Sequence, residues 1–227
     1  GAEISGTVRA VQFHPNTSYE DFVRGWRPSS EGQLTLTDGV LLQHAERARE
    51  NPDLPHCLII EEINRGNPSA AFGEMLTLIE KSKRNERDRL ALSYPRSDGE
   101  EYYLPPNLFI LGTMNIADRS LALVDLALRR RFAFETLEPA FTPAWADYLT
   151  AKLPKNPELV AFIAERMHAL NTTIAEDPSL GPQFAIGHSF VTPTETHTNG
   201  LAWYRGVVET QIGPQLREYW FDDHGKA

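Results

Sequence analysis

The chain has 227 residues, 41% of them hydrophobic and 23% charged, a composition that excludes a disordered or fibrous protein. Its formal net charge of -9 excludes a surface that binds polyanions by general charge, because neutralising phosphates requires clustered Lys and Arg. A single cysteine, Cys57, and the lack of a signal peptide or a long apolar run predict a cytoplasmic protein without disulfides or membrane spans.

The first 50 residues predict one strand, one helix, a strand-like stretch and a second helix. Residues 7–13 form the strand, and Thr17 or Ser18 then provides an N-cap with an acid at the capping-box spacing. The strand-like stretch covers 32–39, and helical spacing resumes at 40–50. The first helix is predicted to carry three large residues, Phe22, Val23 and Trp26.

Residues 56–63 form a continuous apolar run that ends in two acids, which is typical of a buried parallel strand. Asn67 and Pro68 then begin a helix, because proline is tolerated at the first helical position. This helix has one apolar face at helical spacing, formed by Phe72, Met75, Leu76 and Ile79. We interpret that face as core.

The next segments complete an α/β domain. The mixed-charge run 81–89 predicts a solvated face or loop, and breakers within 90–104 predict a hairpin. A second buried strand is predicted at 108–113, followed by a helix that ends in three arginines and a further strand at 132–137.

Beyond Pro139 only helical periods remain, at residues 144–152, 157–175 and 201–220. Strands that alternate with helices predict a parallel sheet, and the helical remainder predicts a smaller all-α domain. We therefore predict an α/β core at residues 1–139 and a helical domain at 140–227.

Two neighbouring strand ends carry the strongest candidate chemistry. Glu61 and Glu62 end the first buried strand, and Thr113 and Asn115 follow the second, ahead of Asp118. Open α/β sheets bind ligands at the carboxyl ends of their strands, and acids with an amide suit metal binding and phosphoryl transfer. The alternatives are an exposed strand end for the acids and turn formation for Asn115 and Asp118.

Arg129, Arg130 and Arg131 close the helix after the second strand. Positive charge is favoured at a helix C-terminus by the helix dipole, and this is the simpler explanation. Three arginines exceed that need. In ring-forming nucleotide hydrolases an arginine at this place reaches the neighbouring subunit's nucleotide.

Three segments carry a family resemblance: IIEEINRGNPSAAFGEMLTLIE, then ILGTMNIADRSLALVDLALRRRFAF, then FAIGHSF. In this order they resemble the McrB subunit of methylcytosine-dependent restriction systems, which is an AAA+ GTPase. The similarity runs from about Val11 to residues 221–223. It implies an AAA+ P-loop type of parallel sheet with flanking helices, followed by a small all-α lid.

The resemblance assigns roles to individual residues. Glu61 and Glu62 match the Walker B acids, the first in the magnesium shell and the second polarising the attacking water. Asn115 matches sensor 1, and Asn115 to Asp118 the element near the γ-phosphate. Arg130 matches the arginine finger, which acts in trans, and Arg129 and Arg131 are close alternatives for that role. The positions of Asn64 and Arg65 correspond to subunit-interface residues near the nucleotide.

The chain departs from the family pattern in three places. The family usually has Asp-Glu where this chain has Glu61-Glu62, and Ala185 stands where an arginine is expected. None of the 15 glycines begins the GxxxxGK[ST] pattern of a P-loop. In the family the first strand and the P-loop precede the segment at Val11, so we expect this sequence to be a fragment with weak nucleotide binding.

The resemblance implies a Mg²⁺-dependent GTP or ATP hydrolase that forms a homo-oligomeric ring. The ring would drive a partner nuclease, with DNA recognised by a separate domain outside this chain. Two alternatives are kept: a non-catalytic assembly module that acts through Arg65 and Arg129 to Arg131, and a chaperone-like AAA+ ATPase of the MoxR kind.

Overall fold

The computed structural model describes residues 7–30, 32–117 and 126–221. The chain divides into two compact units, one ending at Phe134 and the other beginning at Glu135. The first unit is α/β and the second is helical. A functional domain boundary near residue 140 stays a prediction.

The first unit contains a parallel sheet, two hairpins and short helices. In chain order its elements are β1 (Val8–Gln12), α1 (Tyr19–Phe22), β2 (Arg24–Pro28), β3 (Leu34–Asp38), α2 (Val40–Glu50), β4 (His56–Glu61), α3 (Pro68–Phe72), α4 (Met75–Leu78), β5 (Leu90–Ala91), β6 (Glu101–Tyr102), β7 (Leu108–Gly112) and α5 (Leu126–Arg129).

The parallel sheet has the strand order β1-β4-β7, which confirms the predicted α/β fold class. In its register Gln12 pairs with Glu61, and Ile60 pairs with Gly112. The three strands therefore end at one edge of the sheet. The polar residues that follow them are neighbours because of this register.

The two faces of the sheet differ in burial. On one face Leu58, Ile60 and Leu108 are fully buried in the core, which also contains Phe13, Phe22, Leu41, Leu42, Phe72 and Met75. On the other face Phe109 is 57% exposed and Leu111 is 49% exposed. Because alternate residues of a strand point to opposite faces, only one face of β7 is covered by described residues.

The N-terminal prediction of a helix through Trp26 is wrong. The predicted capping box forms between Ser18 and Asp21, but α1 ends at Phe22. Residues 24–28 instead pair with 34–38 as an antiparallel hairpin, and Trp26 is 52% exposed. The hairpin ladder satisfies the backbone groups that a longer helix would have bonded internally.

A buried arginine attaches this hairpin to the next one. Arg24 is 3% exposed, its Nε lies 2.5 Å from Asp38 Oδ1, and its Nη1 lies 2.8 Å from Glu100 Oε1. Asp38 also accepts from Arg96 at 2.7 Å. The second hairpin, formed by β5 and β6, confirms the prediction for residues 90–104.

The helix predicted from Asn67 onward is interrupted. Asn67 caps α3 by accepting from Ala70 N, and Pro68 stands in its first turn, as predicted. Gly73 then has φ of 52°, and a Cβ there would lie 2.8 Å from the Tyr19 ring. The close approach of that ring requires glycine, and the positive φ interrupts the helix between α3 and α4.

One other prediction for this unit fails. Residues 132–137 form no strand. The edge of β7 that faces away from β4 has no described strand beside it, so no described strand extends the sheet to satisfy the backbone groups of residues 132–137. The mixed-charge run 81–89 has no fully buried residue, which agrees with the predicted solvated face or loop, and within it Arg84 donates to the carbonyls of Ile79 and Leu108. Burial lowers the pKa of Arg84.

The second unit contains α6 (Pro143–Lys152), α7 (Glu158–Glu176), α8 (Gly200–Val207) and α9 (Gly213–Tyr219). It is the small helical domain that the sequence predicts. His188 has a structural role there: its Nδ1 accepts from Ala140 N at 3.0 Å, and its ring contacts Phe141. Within the described ranges, no helix is long and apolar enough to cross a membrane.

Candidate functional site

The candidate site lies where β4 and β7 end side by side. Ile63 N donates to Thr113 O and Thr113 N donates to Ile60 O, each at 2.9 Å. These bonds continue the parallel ladder one step beyond the strands. The loops that follow β4 and β7 are therefore held next to each other by backbone geometry.

Glu61 is the last residue of β4, and its side chain is exposed. Its backbone carbonyl accepts from Phe13 N at 2.9 Å, which joins the end of β4 to the residue that follows β1. No hydrogen bond or ion pair engages its carboxylate within the part of the chain that the structure describes. This carboxylate is free to bind a cation.

Glu62 differs from Glu61 in both its backbone and its side chain. Its φ of 52° places it in the left-handed region, the only such non-glycine residue among those described. Its N–H donates to Thr113 Oγ1 at 3.3 Å. Its carboxylate pairs with Arg65, whose Nε lies 2.9 Å from Oε2. Glu62 is thus held from the strand side and from its own loop.

Asn64 joins the loop after β4 to the loop after β7. It is only 7% exposed, and its Nδ2 donates to the backbone carbonyl of Asn115 at 3.3 Å. Its buried Oδ1 has no hydrogen-bond partner within the described residues. Arg65, by contrast, is exposed.

Asn115 has an exposed side chain that also forms a turn. Its Oδ1 accepts from Ala117 N at 3.0 Å, which is the turn geometry kept as an alternative. The amide nitrogen remains available to a ligand. Asp118, which was predicted to bind nucleotide with Asn115, lies outside the described residues.

The structure brings five of the predicted site residues to one edge of the sheet. These are Glu61, Glu62, Asn64, Arg65 and Asn115. The predicted arginines take no part in the contacts described at this edge. Arg131 Nε lies 3.0 Å from Glu80 Oε1, and its Nη1 donates to Ala127 O at 2.9 Å.

Arg130 is the freest of the three arginines. Its side chain is exposed and forms no hydrogen bond or ion pair with other described residues, whereas Arg129 is exposed but engaged. Sequence reasoning missed Glu80 as the partner of Arg131. No spacing rule connects residues 51 positions apart, so no sequence signal could have identified this pair.

The donor set at the strand ends fits a magnesium ion that a nucleotide shares. Within the described ranges no group of three or more His, Cys, Asp or Glu side chains could hold a metal alone. Magnesium in nucleotide sites is commonly held by one or two carboxylates, with phosphate and water oxygens completing the shell. The free carboxylate of Glu61 matches that requirement.

Two protein families match separate parts of the chain. Residues 3–132 match the family described as AAA domain (dynein-related subfamily). Residues 162–227 match the family described as McrB, alpha-helical lid domain. The first match includes both strand ends and all three arginines.

Two curated proteins are similar to the chain. The Type IV methyl-directed restriction enzyme EcoKMcrB subunit of Escherichia coli (strain K12) is 42% identical over 227 residues, covering 98% of this chain and 49% of that protein. The Type II restriction enzyme BsuMI component YdiS of Bacillus subtilis (strain 168) is 32% identical over 132 residues, covering 54% of this chain and 38% of that protein. The chain thus spans half or less of the length of both relatives.

Proposed function

Since the chain belongs to the AAA domain family, in its dynein-related subfamily, and is McrB-like in its lid, we propose that it is most of a Mg²⁺-dependent nucleoside triphosphatase module. The substrate is GTP or ATP. The module works in a homo-oligomeric ring in the cytoplasm. There it drives a partner nuclease on DNA that a separate domain recognises.

The single observation that carries the proposal is the set of hydrogen bonds that connects the loop after β4 to the end of β7 and the loop after it. Glu62 N–H bonds to Thr113, and Asn64 bonds to the backbone of Asn115, so acids and amide lie at one edge. In the proposed reaction Glu61 holds the magnesium, which supplies Lewis-acid polarisation of the phosphates when bound. Glu62 orients and polarises the attacking water, and Asn115 donates to the γ-phosphate.

We propose that the phosphate-binding loop comes from another segment of the parent protein. The sequence contains no P-loop pattern, so backbone N–H groups and a lysine for the phosphates must come from elsewhere. The exposed Phe109 and Leu111 on β7 support this, because an added segment would cover them. The two-part organisation into core and lid, with its boundary near residue 140, belongs to the same proposal.

Arg130 is proposed to act in trans on the nucleotide of a neighbouring subunit. Its exposure and lack of a partner among the described residues support this role over Arg131, which Glu80 holds. Arginines of this kind contribute about 10³-fold or more to hydrolysis.

The test is hydrolysis by the purified parent protein that contains a P-loop. We expect GTP or ATP hydrolysis that requires Mg²⁺ and is lost in Glu62→Gln, which keeps the side-chain shape but removes the charge. Glu86→Gln is a matched control, because Glu86 is an exposed glutamate elsewhere on the same unit. Absence of hydrolysis in the wild-type parent would overturn the proposal.

A non-catalytic assembly module is the second candidate, and the exposed Arg130 also favours it. In that case residues 1–227 should raise the hydrolysis rate of a P-loop-bearing partner subunit. Arg130→Ala should remove the gain. Hydrolysis by the parent protein alone would exclude this alternative.

A further inference from the structure

We propose that Thr113 and Asn64 are positioning residues that lock the backbone of Glu62 in its left-handed conformation. The proposal rests on the proposed function, in which Glu62 polarises the attacking water. It gives Asn64 a role behind the strand ends instead of a contact with nucleotide or with a neighbouring subunit.

The backbone of Glu62 needs such a lock. A φ of 52° is unfavourable for a residue with a side chain, and positions of this kind persist only when the surrounding structure holds them. Glu62 immediately follows β4, so this conformation sets the direction in which its carboxylate leaves the sheet. A relaxed backbone would redirect the carboxylate.

Thr113 holds Glu62 from the neighbouring strand end. Its hydroxyl accepts from the N–H of Glu62 at 3.3 Å, and its carbonyl accepts from the N–H of the next residue, Ile63, at 2.9 Å. The N–H groups of Glu62 and Ile63, which flank the strained φ and ψ of Glu62, are therefore both bonded to Thr113. Only the first bond depends on the side chain, so a substitution at Thr113 can remove it selectively.

Asn64 holds the same loop from its other side. Its side-chain amide donates to Asn115 O at 3.3 Å, and the residue is 93% buried. Within the loop itself, Arg65 N donates to Glu62 O at 2.8 Å and closes a tight turn. The turn is thus bonded to the segment 113–115 through three successive residues, Glu62, Ile63 and Asn64.

The matched pair Thr113→Val and Thr113→Ser isolates the hydroxyl in the intact parent protein. Valine keeps the branched shape and removes the acceptor, whereas serine keeps the acceptor. Loss of one such hydrogen bond corresponds to about a fivefold to tenfold change in rate. We expect kcat to fall by that factor in Thr113→Val, with the nucleotide KM changed less than about twofold, and to recover in Thr113→Ser.

Hydrogen exchange gives a readout that does not require hydrolysis. In Thr113→Val and in Asn64→Ala, the peptide at residues 60–66 should exchange at least about fivefold faster than in wild type. The peptide at residues 40–50, which covers α2 of the same unit, should be unchanged, which verifies that this unit is folded. Thr113→Ser should keep the wild-type exchange at 60–66.

The outcomes separate the lock from the proposed function. If the wild-type parent does not hydrolyse nucleotide, the proposed function fails, and exchange at 60–66 alone decides on the lock. If Thr113→Val keeps both its exchange and its kcat, the lock is overturned while the proposed function stands. A rise in KM without a fall in kcat would also overturn it, because it would indicate nucleotide contact instead of positioning.

Discussion

Arg131 is paired with Glu80, its Nε lying 3.0 Å from Glu80 Oε1, and this contact distinguishes it from the two arginines before it. Arg131 lies two residues beyond the end of α5, and Glu80 lies two residues beyond the end of α4, so the pair links the ends of these two helices. An arginine held in this way within its own subunit is poorly placed to reach a neighbour. The adjacent Arg130 has no such restraint among the described residues.

We therefore expect Arg130→Ala and Arg131→Ala to have different effects. Arg130→Ala should lower hydrolysis by the assembled parent protein about 10³-fold or more, with little change in unfolding midpoint. Arg131→Ala should lower the free energy of unfolding by about 0.5–1 kcal/mol, since its partner Glu80 is partly exposed to solvent.

Hydrolysis assays and denaturant unfolding of both variants test this assignment. Glu80→Gln is the matched control. It should lower the free energy of unfolding by no more than Arg131→Ala, which also loses the bond to Ala127 O, and it should leave hydrolysis unchanged. Equal catalytic losses in Arg130→Ala and Arg131→Ala would contradict the assignment of Arg130 alone.

Glu61 should determine the magnesium requirement. Its carboxylate is exposed and engages no described partner, so the side chain is available to a cation. Glu61→Gln should raise the Mg²⁺ concentration for half-maximal hydrolysis by about tenfold or more, because a carboxylate ligand is replaced by a neutral amide. Glu61→Asp, which keeps the charge, should show a smaller shift. An unchanged magnesium titration in Glu61→Gln would remove Glu61 from the metal site.

The left-handed backbone of Glu62 should lower the free energy of unfolding relative to a glycine at this position. Its φ of 52° favours glycine, so Glu62→Gly should be more stable than Glu62→Ala by about 0.5–1 kcal/mol. Both variants lose the ion pair with Arg65, so their difference isolates the backbone effect. Both should lose hydrolysis. Denaturant unfolding provides the comparison, and an alanine variant as stable as the glycine variant would mean that the backbone at 62 is unstrained.

The buried histidine pair should make stability depend on pH. His44 and His56 are 0% and 2% exposed, and their ring centroids lie 5.4 Å apart. Burial lowers the pKa of His44, and the positive charges that His56 and Arg47 can carry lower it further. Protons then bind the unfolded state more readily than the folded state.

The contribution of His44 to stability is therefore fully present above its unfolded pKa of about 6.5 and is lost as pH falls toward its lower folded pKa. The midpoint of denaturant unfolding should therefore fall as the pH falls through that window. His44→Phe, which cannot titrate, should flatten the dependence, whereas His14→Gln at an exposed position should not. A profile that is the same for wild type and His44→Phe would exclude this explanation.

The sequence determined much of the fold and of the candidate site. Continuous apolar runs predicted the strands that became β4 and β7, and the acids and amide at their ends predicted the site edge. This worked because a parallel sheet places all of its strand ends together, so local patterns carry three-dimensional information. The helical lid and the capping residues Ser18 and Asn67 were predictable for the same local reason.

Features that depend on partners distant in sequence became visible in the folded chain alone. The helix through Trp26 gave way to a hairpin because residues 34–38 compete for its backbone groups. The predicted helix is interrupted at Gly73, where φ is 52° and the Tyr19 ring leaves no room for a Cβ. The ion pair of Arg131 with Glu80, and the bonds of Glu62 and Asn64 to segment 113–115, join residues about 50 positions apart. Sequence spacing does not predict such contacts, because they arise from the packing of segments that are distant in the chain.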